Sequence, residues 1–334
     1  MLRKLLLLAA AVLALSAPAR AETVKVGITR LFGYPGVPIA VARGYFKQQG
    51  IDIDMVFFDS AQPIAVGVAS GGTDFGVAGL SASFYTLASH GELRLVASSG
   101  GEHEGFHNLA FLVSNKAYAA GITSPKDFAG HSVAITQLGT SLHYALGRAA
   151  EKYGYSMSAI TLRPLQSNTN VIAALGGNTV DAAVMPGTPS LAALAKGSAK
   201  LAGWVSDVAP DFTTGSALLV GTETANTKPD LVKRFLIAYR HGMSDFHDAF
   251  TAADGTPAMG PGAPGVLKIM ADFTGVAPAE LVKAIPFVDG EGRIATSDIA
   301  RQIAWYKSQN LLRGEVKAED LIDSRYALPL VASR

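Results

Sequence analysis

Five residues invite a chemical reading first. His103-Glu104-Gly105-Phe106-His107 has the H-E-x-x-H spacing, which on a helix presents two imidazoles to a zinc ion with the glutamate as general base. The motif needs that helix, because only there do residues four apart share a face. Here Ser98-Ser99-Gly100-Gly101 precedes it, Gly105 interrupts it, and an apolar run from Leu109 to Val113 follows. The pattern predicts a loop running into a strand, so the two histidines need not converge, and no third ligand downstream has a helical context. The chain has no cysteine, which removes thiolate metal ligands, cysteine nucleophiles and disulfides together. No carboxylate pair, Ser/His/Asp grouping or phosphate-cradling glycine motif stands out. The expectation is a chain that is not an enzyme, with no catalytic residue, no metal and no cofactor.

Other residues suit binding. Gly139-Thr140-Ser141 opens a predicted helix, where free backbone N–H groups favour an anion and the hydroxyls add hydrogen bonds. Plain helix capping by Thr140 or Ser141 is the structural alternative. Gln137 lies on the same loop. After the first predicted strand come Thr29, Arg30, Phe32 and Tyr34. A guanidinium there suits a carboxylate or sulfonate, and the two rings suit a planar ligand. Ser60 and Gln62 follow the second strand; Gly79, Leu80 and Ser81 follow the third. Ser167 to Asn170, including Asn168, and Pro186-Gly187-Thr188 follow two later strands, although turn formation alone explains such composition. With zinc set aside, His103, Phe106 and His107 become candidate ligand or hinge contacts, and a histidine there would make function pH-dependent.

The elements that must position these residues alternate. Residues 24–29 read as a strand, 39–49 as a helix closed by Gly50, and 51–58 as a second strand. Residues 62–70 have helical spacing up to Gly71-Gly72, and 75–78 and 93–97 are short apolar strands. Strands alternating with helices imply a parallel sheet with right-handed crossovers. Residues 51–83, IDIDMVFFDSAQPIAVGVASGGTDFGVAGLSAS, are then echoed by 160–190, ITLRPLQSNTNVIAALGGNTVDAAVMPGTPS. Each is a strand, a polar turn, a small-residue helix, a Gly-Gly stop, an aspartate and an apolar strand. Two copies argue for two similar α/β lobes, not a solenoid. Asp74 and Asp181 recur in the echo, with a turn or helix-cap role expected. The second lobe opens with a strand at 132–136 and a helix from Gly139-Thr140-Ser141 to Tyr153, stopped by Gly154. Helical patterns at 228–250, 265–274, 279–284 and 297–309 close the chain. The candidate residues thus fall on loops after strands, where open α/β sheets bind ligands.

The ends and the composition narrow the setting. Met1-Leu2-Arg3-Lys4, an apolar run over 5–17 and Ala19-Arg20-Ala21 read as a secretory signal peptide over 1–21, cut before Glu22. Taking 21 from 334 residues leaves 313, which favours two domains. Without Arg3, Lys4 and Arg20, 25 of the 28 basic residues face 27 acidic ones, a net charge of −2. No basic stripe exists to neutralise phosphates, so no nucleic-acid partner is expected. The expected compartment is the periplasm.

Four stretches, VAGLSASFYTLASHG, GITSPKDFAGHSVAITQLGTS, AALGGNTVDAAVMPGTPS and PFVDGEGRIATSDIARQIAWYKSQNLL, carry a resemblance in their order and spacing. The chain resembles substrate-binding proteins of ABC importers in the nitrate/sulfonate/taurine group, which includes thiamine-pyrimidine binders. The resemblance implies a two-lobed type II periplasmic-binding-protein fold, each lobe a mostly parallel sheet flanked by helices, joined by a two-segment hinge. By that analogy the chain crosses near Asn108 and returns near Ser216, so 22–107 with 217–334 forms lobe 1 and 108–216 forms lobe 2. The implied activity is capture of a small organic anion (sulfonate, carboxylate or aromatic acid) and delivery to a permease and ATPase by a monomeric binding protein. The alternatives are a thiamine-precursor-like pyrimidine as ligand, or an enzyme built on the same bilobal fold.

Overall fold

Residues 21–330 are described by the computed structural model, so residues 1–20 of the expected leader lie outside the described residues. The strands are β1 (Glu22–Ile28), β2 (Ile51–Phe57), β3 (Phe75–Gly79), β4 (Leu93–Ser98), β5 (Gly100–Gly101), β6 (Leu109–Val113), β7 (Ser132–Ile135), β8 (Thr161–Pro164), β9 (Ala182–Pro186), β10 (Lys200–Trp204), β11 (Ser216–Gly221) and β12 (Phe287–Val288). They form two five-stranded sheets, ordered β2-β1-β3-β11-β4 and β10-β6-β9-β7-β8, plus the small pair β12-β5. Read from its other edge, the second sheet is β8-β7-β9-β6-β10, rank for rank the arrangement of the first. The sequence echo is this equivalence, with β2–helix–β3 matching β8–helix–β9.

In each sheet one strand runs against the rest. β11 is antiparallel to β3 and β4, and β6 is antiparallel to β9 and β10. These are the first strands the chain enters in its sheet after leaving the other one. The remaining strands share one direction, so their carboxyl ends gather at one edge of each sheet.

The local chemistry explains the elements. In β1, Val24, Val26 and Ile28 are fully buried while Thr23 and Lys25 face solvent, the period-two pattern of a half-covered strand. β6 and β9 are apolar throughout and covered on both faces. Asp74 and Asp181 have the same job in the two halves. The Lys25 N–H donates to Asp74 Oδ2 at 2.9 Å, and the Ser132 N–H donates to Asp181 Oδ2 at 2.9 Å. Each carboxylate ties the start of its own strand, β3 or β9, to the neighbouring strand instead of capping a helix. The helix expected over 39–49 is two pieces, Gly36–Ala42 and Tyr45–Gln48, because Gly44 adopts φ +75° between them. The helix expected over 279–284 shortens to Pro278–Leu281.

Helix Pro229–Phe250 returns to cover the first sheet, with the Phe235 ring stacked on Phe75 at 3.9 Å. Helix Thr296–Ser308 spans the two halves. Its Tyr306 hydroxyl donates to Leu80 O, while Trp305 lies edge-on to Tyr144 and His143 of helix Ser141–Tyr153. A Cβ at Gly147 would overlap the Trp305 indole, so glycine permits that crossing. One apolar core therefore runs continuously from Leu80 and Tyr85 through Tyr306 to Leu142 and Tyr144.

Candidate functional site

The carboxyl ends of both sheets enclose one chamber. From the first sheet come Thr29, Leu31 and Tyr34 after β1, Asp59, Ser60 and Ala61 after β2, and Gly79 at the end of β3. From the second come Thr136, Thr140, Ser141 and Leu142 after β7, Asn168 after β8, and Pro186 ending β9. The two crossover segments supply Asn108, Leu109, Gly215 and Ser216. Equivalent strand ends thus face each other, and the topology of open α/β sheets puts ligands there. The cavity volume is about 60 Å³; on the same measure one water needs roughly 10–15 Å³, so the space suits a small polar group.

Three helices begin at the chamber without side-chain caps; the third, Gly187–Ala195 after Pro186, has its first N–H taken by Asn108 O. Helix Ala61–Ala69 starts after Ser60, and helix Ser141–Tyr153 starts after Thr140; neither preceding hydroxyl accepts a hydrogen bond from its helix. The Thr140 hydroxyl donates instead to Gln137 O at 2.9 Å. Both helix starts leave N–H groups free beside the chamber, and their dipoles favour negative charge there. His143, one turn into the second helix, accepts from the Gly139 N–H at 3.2 Å, and burial pushes its pKa down to about 4, so it adds no charge. Burial holds the Tyr34 phenol well above its usual range, hence neutral. Asp59 is the one charged side chain among the described residues of the wall. Asn168 Oδ1 is buried there with no hydrogen-bond partner, a place for a donor on a ligand.

The walls meet across the cleft. The Ala82 N–H donates to Gly139 O at 2.8 Å, Gln62 Nε2 to Leu138 O at 2.8 Å, and the Phe32 N–H to Thr188 Oγ1 at 2.8 Å. A Cβ on Gly79 would come within 2.7 Å of Ser141 Oγ, so the absence of a side chain lets the two sheets close.

Of the residues expected from sequence, Tyr34, Ser60, Gly79, Thr140, Ser141, Asn168 and Pro186 line this chamber. Gln62, Gly139 and Thr188 make or support the cross-cleft contacts just described. Arg30 points outward: its guanidinium lies 3.7 Å from the Phe57 ring centre and donates to Phe273 O at 3.0 Å. Phe32 is core, packed edge-on against Phe246 and Phe250. Leu80 is fully buried, and Ser81 caps its own helix by accepting from the Phe84 N–H. Gln137 lies outside the chamber wall and keeps Oε1 buried without a partner. Asn170 is tied to Leu165 O, and the Gly187 N–H to Asn108 O.

His103 and His107 point to different neighbours. His103 is exposed and stacks on Phe287 at 4.9 Å, with the buried Phe106 edge-on to both. His107 stacks on Trp204 at 4.7 Å and bonds Ser206 Oγ at 3.0 Å. Among the described residues no three His, Cys, Asp or Glu side chains gather to hold a metal. The wall residues that sequence reasoning passed over include Asp59 and Thr136, polar residues just past β2 and β7 whose position could have marked them, and two other kinds. Asn108 and Ser216 were read only as crossovers, yet a crossover between facing sheets necessarily floors the cleft. Leu31, Leu109 and Leu142 are apolar and carried no chemical signal.

Comparison with known proteins bears on the fold and the family. A putative binding protein of Brucella abortus (strain 2308) is 26% identical over 253 residues, 74% of each chain. The alkanesulfonate-binding protein SsuA from Xanthomonas axonopodis pv. citri, solved bound to MOPS, superposes with a TM-score of 0.71 at 21% identity, covering 90% of this chain and 98% of that one. The desulfurization enzyme DSZB superposes with a TM-score of 0.63 at 15% identity, covering 92% and 96%. These structures share the periplasmic-binding-protein fold with this chain. The NMT1/THI5-like family model matches residues 34–249, and the chain belongs to that family.

Proposed function

We propose that this chain is the periplasmic solute-binding component of an ABC importer, which captures a small organic anion and delivers it to a membrane permease and its ATPase. The observation that carries this reading is the chamber itself, closed by equivalent strand-end loops of two sheets, with two uncapped helix starts aimed into it. Segments 22–107 with 217–334, and 108–216, act as the lobes, and their hinge closure sequesters the ligand. The anion is a sulfonate, carboxylate or aromatic acid; the helix starts supply the attraction without a guanidinium. No bond is made or broken, and the chain works as a monomer.

A second reading draws on Asp59, Asn168 and Tyr34. An acid, an unpaired amide oxygen and a ring on one wall suit the N–H groups of an aminopyrimidine-like ligand.

A thermal-shift screen over sulfonates, carboxylates, aromatic acids, nitrate and pyrimidines separates the two, because a ligand that binds only the folded chain raises Tm. Trp305 fluorescence reads closure at the same time, since its indole lies between the halves. A stabilising anion that alters the Trp305 signal and is recovered unchanged supports the proposal. Stabilisation by pyrimidines alone moves it to the second reading, and conversion of the ligand overturns both in favour of an enzyme.

A further inference from the structure

We infer that the ligand is longer than its enclosed head, and that Arg30 reads a second acidic group at its far end. This rests on the anion reading above. The chamber of about 60 Å³ continues into an outer hollow of about 350 Å³, and the two share Thr29, Leu31, Asp59 and Asn168 as walls. The hollow also lies between the two halves. Phe57 and Val276 line it from one side, Ile172 and Ala192 from the other, with the hydroxyls of Thr169, Thr188 and Thr274 between them. Such walls suit a hydrocarbon linker, whereas the inner chamber holds only a compact head.

Arg30 is built into the outer wall. Stacking on Phe57 at 3.7 Å fixes the plane of its guanidinium, and the bond from Nη1 to Phe273 O fixes its direction. Stacking uses the face and leaves the edge. Among the described residues no carboxylate lies within ion-pairing distance of Arg30, and Nε and Nη2 have no acceptor. A planar, oriented fork with free donors is what recognises a carboxylate or sulfonate in bidentate fashion.

Asp59 makes the spacing decisive. It stands where chamber and hollow meet, so a second acid close to the head faces its carboxylate. An acid carried further out faces Arg30. Short dianions should therefore bind worse than the matching monoanion, and longer ones better.

The test is calorimetric titration of the full chain with two matched series. One runs monocarboxylates against α,ω-dicarboxylates from succinate to sebacate; the other runs alkanesulfonates against their ω-carboxy derivatives. At the fitting length the dianion should bind about tenfold tighter than the monoanion, as expected of a partly exposed bidentate pair. Arg30→Gln should remove that gain and leave monoanion affinity unchanged, which also shows that the variant is folded. Asp59→Asn should relieve the penalty on short dianions. Equal affinities at every length, or an Arg30→Gln chain that loses monoanion and dianion binding alike, overturn the assignment of Arg30 and leave the anion reading intact. No binding by any member of either series overturns both.

Discussion

Glu102 offers the sharpest test of how the two halves are joined. It is fully buried just before the first crossover, where its carboxyl accepts the N–H groups of Leu109 at 2.8 Å and Asn108 at 3.3 Å. Burial pushes its pKa from 4.5 up to about 8; Asp207 adds to that rise, and the N–H groups of Asn108, Leu109 and Ser206 oppose it. The folded chain therefore holds the proton more tightly than the unfolded chain does. Between these two values the folded state binds more protons, so this group's contribution is fully present below pH 4.5 and is lost as pH rises through about 8. At about 1.4 kcal/mol per unit, the shift corresponds to on the order of 5 kcal/mol of stability. Glu102→Gln is neutral like the protonated form and does not titrate, although its amide nitrogen cannot accept the weaker bond from Asn108. In denaturant unfolding of both chains from pH 5 to pH 9, the difference in stability at pH 5 should not exceed the roughly 1 kcal/mol of the one bond that Gln cannot accept. The variant should be the more stable by several kcal/mol at pH 9. Subtracting the two profiles removes Asp298, whose pKa burial pushes up to about 7 and which is unchanged in both. A variant that is less stable by about 1–3 kcal/mol across the whole range would refute the reasoning. It would mean that the surrounding N–H groups hold Glu102 as a carboxylate at every pH.

Two further outcomes follow from the geometry. Gly79→Val should abolish ligand binding in calorimetry while the thermal transition persists, because the new side chain meets Ser141 across the cleft and props the halves apart; a variant binding as tightly as the parent would remove Gly79 from the closure. Purified protein should contain no stoichiometric zinc by elemental analysis, and His103→Ala should leave ligand affinity unchanged, since that ring is exposed on Phe287 away from the chamber; a fall in affinity would return His103 to the site.

The sequence was legible where the physics is local. Strand periodicity, glycine stops and the echo of 51–83 in 160–190 each depend on near neighbours, and they led to the two matched sheets. Tyr34, Ser60, Ser141 and Asn168 were legible for the same reason: a polar residue just past an apolar strand lies at the edge where ligands bind. Arg30 shows where the method stops. Its type and position fit an anion contact, but that it faces the outer hollow and not the chamber is set by Phe57 and by the carbonyl of Phe273, far away in the chain. Phe32 was lost to the core because Phe246 and Phe250 of a late helix pack on it. A one-dimensional pattern carries a side chain's chemistry but not the distant partner that claims it.

The cross-cleft contacts set the energetic terms on which any ligand enters. The chamber is walled by both sheets, and on the proposed hinge motion it widens when the Ala82–Gly139, Gln62–Leu138 and Phe32–Thr188 hydrogen bonds part. Each contributes on the order of 1 kcal/mol net, so if closure is the proposed hinge motion, these three bonds alone set its opening cost at about 3 kcal/mol, an open form at roughly one part in a hundred. That fraction is large enough for ligand to enter without catalysed opening. It is small enough that a weakly held molecule is lost as soon as the cleft parts. Trp305 lies on the far side of this motion, packed over Gly147 against the edge of the continuous core, so a parting of the strand-end loops turns the indole against Gly147 and Tyr144. The proposed hinge is then this aromatic contact as well as the two crossover segments, and closure is reversible because opening breaks only a few hydrogen bonds.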